Sequence, residues 1–363
     1  MSSLREPTGV SKRGESSADY KPTSILLTGG CGFIGAHVAV ALLDAFSSAT
    51  LTNIDKLDYC ANPRWSSHLV KTWKVQDRYD FVEGDILDAS FLRYLLQSKA
   101  IDTVIHFAAQ SHVDNSFGNS LEFTRNNVLG THVLLEACRA YGGVRRFIHV
   151  STDEVYGTAS AEDPAWGESA VLRPTNPYSA SKAAAEMIVS GYLRSYKMPI
   201  IVTRGNNVYG PGQYPEKVIP KFTLQTISGL PCTIHGKGDN SRHFVHVSDA
   251  AAAFVAIMAK GSVGETYNVG CEEEITTLEV AETIGDILKK TEDLEQKIVF
   301  VEDRCFNDFR YPVDRSKLET LGWAPRIAWR EGMEMTVKWY RENASLYWSA
   351  TDLGKTLEAH PRA

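Results

Sequence analysis

The chain has 363 residues, 43% hydrophobic and 23% charged, enough for one large α/β domain with a smaller lobe inserted or appended. A net charge of −6, with an isoelectric point near 6.0, argues against a general nucleic-acid binder, which needs a basic face. Six scattered cysteines (Cys31, Cys60, Cys138, Cys232, Cys271, Cys305) form no CxxC pair and suggest neither a disulfide framework nor a metal site, so a reducing, cytoplasmic setting is expected. No apolar run approaches the ~20 residues of a membrane span.

Residues 1–22 are rich in Ser, Lys, Arg and Glu without an apolar stretch, and read as a disordered tail. From Ser24 onward short apolar runs alternate with helical segments, which predicts a doubly wound parallel sheet of Rossmann type. Strands are expected at Ser24–Thr28, Ala49–Asp55, Asp80–Glu83, Thr103–Phe107, Arg146–Ser151 and Ile200–Arg204. Helices are expected at Gly35–Phe46, Asp88–Gln97, Glu122–Ala140 and Pro177–Tyr196. After Gly205 the texture changes: Gly210, Pro211, Gly212, Pro215 and Pro220 crowd together, and turn signals such as Gly236-Lys237-Gly238-Asp239 follow. Two more helical stretches, Thr277–Lys290 and Glu331–Asn343, flank a polar loop around Asp303–Asp314. Residues 23–205 thus read mainly as a cofactor domain, 206–343 mainly as a substrate lobe with some strands returning to the sheet, and 344–363 as a C-terminal tail.

Thr28-Gly29-Gly30-Cys31-Gly32-Phe33-Ile34-Gly35 follows the first strand and opens a helix. Gly29, Gly32 and Gly35 permit, in turn, a tight bend, approach of backbone N–H groups to a pyrophosphate and close helix-to-strand packing. Such a triplet also occurs in ordinary turns; its place between strand and helix favours the dinucleotide reading. Asp55 ends the second strand, where a carboxylate accepts hydrogen bonds from adenosine ribose hydroxyls and repels a 2′-phosphate, favouring NAD over NADP. The neighbouring Lys56 pulls the other way. Asp85-Ile86, after the third strand, reads either as the adenine contact or as a turn cap.

Tyr178 and Lys182 stand at i and i+4, on one face of a helix that Asn176-Pro177 starts. The lysine charge is expected to lower the phenol's pKa, so that the tyrosine removes a hydroxyl proton as hydride leaves the same carbon. A solvated helix face is the alternative origin of that spacing. Ser151-Thr152-Asp153-Glu154 lies at the carboxyl end of the fifth strand, the edge where open α/β sheets bind ligands. It reads either as a helix cap with an acidic first turn, or as a hydroxyl that orients a substrate beside an acid–base pair.

Together these residues resemble the extended short-chain dehydrogenase/reductases and, within them, the nucleotide-sugar 4,6-dehydratases. The resemblance runs from about Ser24 to Tyr340. Thr152-Asp153-Glu154 is its most specific motif, because the 4-epimerases and decarboxylases keep the glycine loop and the Tyr–Lys pair but generally lack the two acids. His106-Phe107-Ala108-Ala109-Gln110-Ser111-His112-Val113-Asp114, Asn207-Val208-Tyr209-Gly210-Pro211 and Tyr214-Pro215-Glu216-Lys217-Val218-Ile219-Pro220 carry it further. It is strongest to the dehydratase domain of plant and fungal UDP-rhamnose synthesis, which makes UDP-glucose the first expectation and dTDP-glucose the second; a 4-epimerase or a non-catalytic NAD sensor ranks lower.

The resemblance implies a tightly bound NAD, regenerated each turnover, with Ala108, Ala109, Ser111 and Asn126 near it. It implies that Tyr178, supported by Lys182 and with Thr152 holding O4, oxidises C4; that Glu154 removes the C5 proton; that Asp153 protonates the departing C6 hydroxyl; and that hydride returns to C6. Substrate contacts fall on Ser111, Thr152, Asn207, Lys217, Val218, Arg242, Asn268, Arg304, Asn307 and Tyr311, with Arg242 and Arg304 suited to the diphosphate. The sequence departs from the family at His243, where an acid or amide is common, and at Cys305-Phe306-Asn307, which replaces Pro-Gly-His of the bacterial dTDP-glucose enzymes. A homodimer is implied, packed through the helices Glu122–Ala140 and Pro177–Tyr196.

Overall fold

The computed structural model describes residues 19–290, 297–302 and 306–357. In chain order the first half comprises β1 Ser24–Thr28, α1 Phe33–Ala45, β2 Thr50–Asp55, α2 Pro63–Thr72, β3 Tyr79–Glu83, α3 Ala89–Ser98, β4 Thr103–His106, α4 Val113–Gly118, α5 Ser120–Phe123, α6 Thr131–Tyr141, β5 Arg146–Thr152, α7 Pro177–Tyr196 and β6 Ile200–Gly205. Then follow β7 Asn207–Tyr209, α8 Val218–Ser228, β8 Cys232–His235, β9 Ser241–His246, α9 Val247–Lys260, β10 Thr266–Val269, β11 Glu274–Thr276, α10 Thr277–Leu288, β12 Ile298–Val301, α11 Ser316–Glu319, α12 Trp329–Tyr347 and α13 Ala350–Leu357.

Seven parallel strands form the main sheet in the order β10-β6-β5-β4-β1-β2-β3. Its central strands are apolar on both faces because helices cover both. Leu27, Ile105, Ile148 and Ile201 pack on one side with α1 and α9. Their neighbours Leu26, Val104, Phe147 and Ile200 point to the other side, against α3, α6 and α7, following the two-residue period of a strand. Strand order reverses between β1 and β4, which opens a crevice at their carboxyl ends. The later residues build a lobe over that crevice. It contains a three-stranded sheet β11-β9-β7, a two-stranded sheet β12-β8, and a core of Tyr209, Phe222, Ile234, Ile284, Trp329 and Met333.

The helix expected at Glu122–Ala140 is not one regular helix. Residues Thr124–Gly130 wind as a π-helix between α5 and α6, a form that recurs at functional sites. The wider turn brings Gly130 so close to Ile86 that a Cβ there would lie 2.5 Å from Ile86 Cδ1. The expected tail also ends earlier than residue 22. Tyr20 already hydrogen-bonds Thr103 and lies beneath the guanidinium of Arg146, 4.2 Å from its ring centroid. At the other end α12 runs on to Tyr347 and α13 follows, Trp348 stacking on Tyr340.

Candidate active site

A cavity of about 980 Å³ runs along the carboxyl ends of β1 to β6 and beneath the second lobe. At its cofactor end Gly29 has φ +77°, and a Cβ on it would sit 2.7 Å from the Ala108 backbone nitrogen, so the loop after β1 touches the start of the β4 loop. A Cβ on Gly35 would strike the Gly29 carbonyl at 2.5 Å, which seats α1 directly on the turn. A Cβ on Gly32 would meet only that carbonyl within 4 Å; the space in front of it is open. Phe33 and Ile34 open α1 there, and first-turn amides have no partner within a helix. That cradle fits a pyrophosphate.

Asp55 lines the cavity, accepting hydrogen bonds from the backbone nitrogens of Cys31 and Leu57, both at 2.9 Å. Burial raises its pKa. Lys56, the cation that could favour a 2′-phosphate, is held by Asp58 at 3.2 Å and Glu122 at 3.7 Å. Asp85 satisfies both readings of its motif: its Oδ1 caps the Leu87 nitrogen at 2.9 Å, and the residue lines the cavity beside Ile86. Ala108, Ala109, Ser111 and Asn126 line it too.

The catalytic candidates converge at the end of β5. Thr152 caps a short 3₁₀ turn, its Oγ accepting from the Glu154 nitrogen at 3.3 Å, which places two carboxylates in the first turn. So the cap and the acid–base reading describe the same residues. Asp153 is buried; its Oδ1 accepts from Thr152 Oγ at 3.1 Å and its Oδ2 from Asn206 Nδ2 at 2.7 Å. Burial, and then the charge of Glu154, push its pKa up to about 7. Glu154 is half-buried and accepts from Asn176 Nδ2 at 3.3 Å; burial raises it, while Arg242 pulls it down.

Tyr178 and Lys182 both line the cavity from α7. That helix is fixed by a capping box in which Ser179 N donates to Asn176 Oδ1 at 2.8 Å and Pro177 occupies the first turn. The expected effect of the lysine on the phenol is not found. Lys182 Nζ donates to the Val150 carbonyl at 2.7 Å, and burial pulls the ammonium down to about 8. The Tyr178 phenol is pushed up by burial and by Glu154, and its hydrogen bond with Thr152 counters this only in part. The i, i+4 spacing puts both side chains on one face but leaves the ammonium's partner to the strand beneath.

On the substrate side Asn207, Lys217, Val218, Arg242, Asn307 and Tyr311 all line the cavity. Lys217 donates to the Ser111 carbonyl at 3.1 Å and stands at the N-terminus of α8, where Val218 begins the helix. Arg242 commits Nη1 to the carbonyls of Ser241 and Asp308, at 2.7 and 3.0 Å, and lies over the Tyr311 ring. Asn307 Nδ2 reaches Asn240 Oδ1 at 3.3 Å. Phe306 faces the same cavity and is 44% exposed, at the mouth rather than in a core. One expectation changes. Asn268 is fully buried and does not line the cavity: it accepts from the Tyr156 hydroxyl and donates to the carbonyls of Trp166 and Asp314, so it ties β10 to a loop. Arg304 lies outside the described residues. The unusual His243 is buried 3.8 Å from Glu274, away from the cavity, so this departure does not alter the site.

The sequence matches the family described as GDP-mannose 4,6 dehydratase over residues 26–336. The chain belongs to this family. It is 50% identical over 347 residues to a trifunctional UDP-glucose 4,6-dehydratase/UDP-4-keto-6-deoxy-D-glucose 3,5-epimerase/UDP-4-keto-L-rhamnose-reductase of Arabidopsis thaliana, covering 95% of this chain and 51% of that protein. The chain thus spans about half the length of the plant relatives it matches. It is 44% identical to the dTDP-D-glucose 4,6-dehydratase of Bos taurus, with 93% of each chain covered. Among solved structures, the dTDP-glucose 4,6-dehydratase of Streptomyces venezuelae with NAD bound superposes with a TM-score of 0.84 at 37% identity, over 90% of this chain and 99% of the other.

Within this 4,6-dehydratase family member, several residues that reading the sequence passed over hold the site together. Asn206 and Asn176 each bind one acid of the pair, yet in the sequence Asn176 reads only as a helix start and Asn206 carries no signal of its own. Buried Asp308 accepts from Thr175 Oγ1 at 2.7 Å and from Asn176 Nδ2 at 3.4 Å, joining the polar loop of the second lobe to the start of α7. Tyr59 donates to Glu216 at 3.0 Å and Gln110 to Asp58 at 2.5 Å, so the loop after β2 straps across the cavity to both neighbours.

Proposed function

We propose that the chain is an NAD-dependent nucleotide-sugar 4,6-dehydratase that converts UDP-glucose to UDP-4-keto-6-deoxyglucose. The observation that carries this is the pair Asp153–Glu154 beside Thr152 and Tyr178, with the first acid buried and lifted to about 7. An acid that keeps its proton near neutrality next to a carboxylate is what elimination of water needs; a 4-epimerase, which loses no water, has no use for it. The pyrophosphate cradle at α1, Asp55 and the paired Lys56 fit NAD. When bound, NAD supplies the acceptor for the C4 hydride and its donor to C6.

The protein's part is proton transfer and positioning. Thr152 holds O4 of the sugar and Tyr178 takes the O4 proton. The C4 ketone acidifies C5, whose proton passes to Glu154, and Asp153 protonates the C6 hydroxyl so that water leaves. Glu154 then returns its proton to C5. Lys217, Arg242 and the N-terminus of α8 hold the diphosphate, so each pyrophosphate in the cavity meets a helix start. Phe306 and Asn307 stand at the mouth for the base.

UDP-glucose is favoured by the plant relatives at 50% identity; the animal relatives at 44%, which match along nearly their whole length, favour dTDP-glucose as the second reading. Mass spectrometry of products from UDP-glucose, dTDP-glucose and GDP-mannose tests both. Loss of one water is expected, with kcat/KM favouring UDP-glucose by at least ~10-fold, about 1.4 kcal/mol of transition-state preference. An isomer of unchanged mass refutes the dehydratase reading; a ratio favouring dTDP-glucose refutes only the choice of nucleotide.

We also propose a homodimer. α5, the π-helical stretch and α7 lie side by side, and they expose Leu121 (82%), Leu129 (49%) and Met187 (59%). Apolar side chains on adjoining helices are suited to a second copy of the same surface.

A further inference from the structure

Resting on that dehydratase reading, the proton account of one turnover does not close on the individual residues. Tyr178 gains the O4 proton, and the product keeps a ketone at C4, so that proton never returns to the sugar. Asp153 loses a proton to the C6 oxygen, which departs as water. The hydride leaves C4 and ends on C6, and Glu154 takes a proton from C5 and gives one back. Each cycle therefore ends with Tyr178 one proton richer and Asp153 one proton poorer than at the start. The next cycle needs the reverse.

The surroundings of Asp153 leave few ways to correct this. The residue is 2% exposed. Among the described residues its carboxylate oxygens meet two partners, the Asn206 amide at 2.7 Å and the Thr152 hydroxyl at 3.1 Å. An amide N–H holds its proton, whereas a hydroxyl accepts one proton while passing on its own. The same Thr152 hydroxyl is hydrogen-bonded to the Tyr178 phenol. Thr152 and Tyr178 are themselves buried, and the three oxygens form a short chain along the wall of the cavity. We propose that Thr152 is the internal proton conduit that resets the enzyme: the Tyr178 phenol donates to Thr152 Oγ as the Thr152 hydroxyl donates to Asp153 Oδ1. One O–H bond breaks and one forms at Thr152, which ends unchanged, and the net result is a phenolate and a neutral carboxylic acid. No electron moves and no co-reactant is required. Burial raises the phenol as well as the acid, so the hop runs uphill, and it is drawn forward because both of its products are consumed by the next oxidation and elimination.

Thr152→Val and Thr152→Ser separate this from a role in holding O4 alone. In Thr152→Val the first turnover delivers one product per site. Later turnovers should then run at least ~10-fold slower than that variant's own single-turnover rate, below the usual cost of losing a proton-transfer group because solvent still offers a slow route. A small acid such as imidazolium, added at constant pH, should restore the steady-state rate. Thr152→Ser keeps the hydroxyl and should show neither the burst nor the buffer dependence. Equal slowing of the first and later turnovers in Thr152→Val, without an effect of buffer, overturns the conduit and leaves Thr152 as a positioning group. The wild type and Thr152→Ser suffice if the valine variant does not fold, because a wild-type rate that climbs with buffer concentration at fixed pH means that protons arrive from solvent, which also overturns it. A wild type that releases no water from any sugar nucleotide overturns the dehydratase reading itself, a result distinct from either of these.

Discussion

Replacing Asp153 with Asn tests the raised carboxyl from two independent sides. In the folded protein burial and the adjacent Glu154 lift this carboxyl from 3.8 to about 7. That is roughly three decades of proton affinity, about 4 kcal/mol at ~1.36 kcal/mol per decade, and an upper bound because surrounding dipoles relax. Between those pH values the folded state keeps a proton that the unfolded chain has lost, so raising the pH costs stability, and the loss is complete above about 7. Asp153→Asn carries no charge at any pH. It should match the wild type near pH 4 and exceed it at pH 8, by at most ~5 °C in Tm for an unfolding entropy of ~2.1 cal/mol/K per residue. Thermal denaturation from pH 4 to 8 reads this directly. The same variant lacks the acid that protonates the C6 oxygen, so water loss should fall by ~10²–10⁴ while C4 oxidation continues. Enzyme-bound reduced cofactor should then accumulate, absorbing near ~340 nm. A stability difference that does not vary with pH would refute the raised carboxyl, and dehydration at the wild-type rate would refute its role as the acid.

Tyr178→Phe should lower kcat by at least ~100-fold while sugar-nucleotide affinity, measured by calorimetry, stays within a few-fold. Asp55→Asn should narrow the preference for NAD over NADP, because it removes the carboxylate that repels a 2′-phosphate while Lys56 stays paired with Asp58 and Glu122; an unchanged ratio in direct binding would refute that assignment. Leu129→Asp should shift the protein toward monomer in analytical ultracentrifugation without altering its far-ultraviolet circular dichroism, and an unshifted mass would move the dimer surface elsewhere.

Most of the fold was legible because its signals are local. A buried parallel strand announces itself as a run like Ile25-Leu26-Leu27, and α7 by Asn176-Pro177 followed by the Ser179 cap, so the expected and observed bounds of β1 and α7 coincide. The bounds of the helix after Asn119 were harder to read. Nothing in Thr124–Gly130 marks a π-helix; within it Asn127 bonds Gln110 and Ser181, partners outside the helix that lie 17 and 54 positions away.

The site divides along the same line. Gly29, Asp55, Thr152, Tyr178 and Lys182 lie at fixed places relative to a strand or helix end, and spacing alone brings them to the cavity. Their chemistry is set by residues that spacing does not reach. Asn206 comes to Asp153 across 53 positions, and Asp308 to Asn176 across 132. Asn268 shows the opposite error, since a polar residue in a matching strand was expected to face substrate, and its side chain points instead into a fully bonded interior. Lys182 shows how far a pattern goes: the i, i+4 spacing fixes the face it shares with Tyr178, but its ammonium donates its hydrogen bond to the carbonyl of Val150. What tunes the acid pair is therefore burial beneath the second lobe, a property of the assembled chain. It follows that substitutions in that lobe which leave every catalytic side chain in place, Asn206 first among them, should move the pH profile of water loss more than the rate of C4 oxidation.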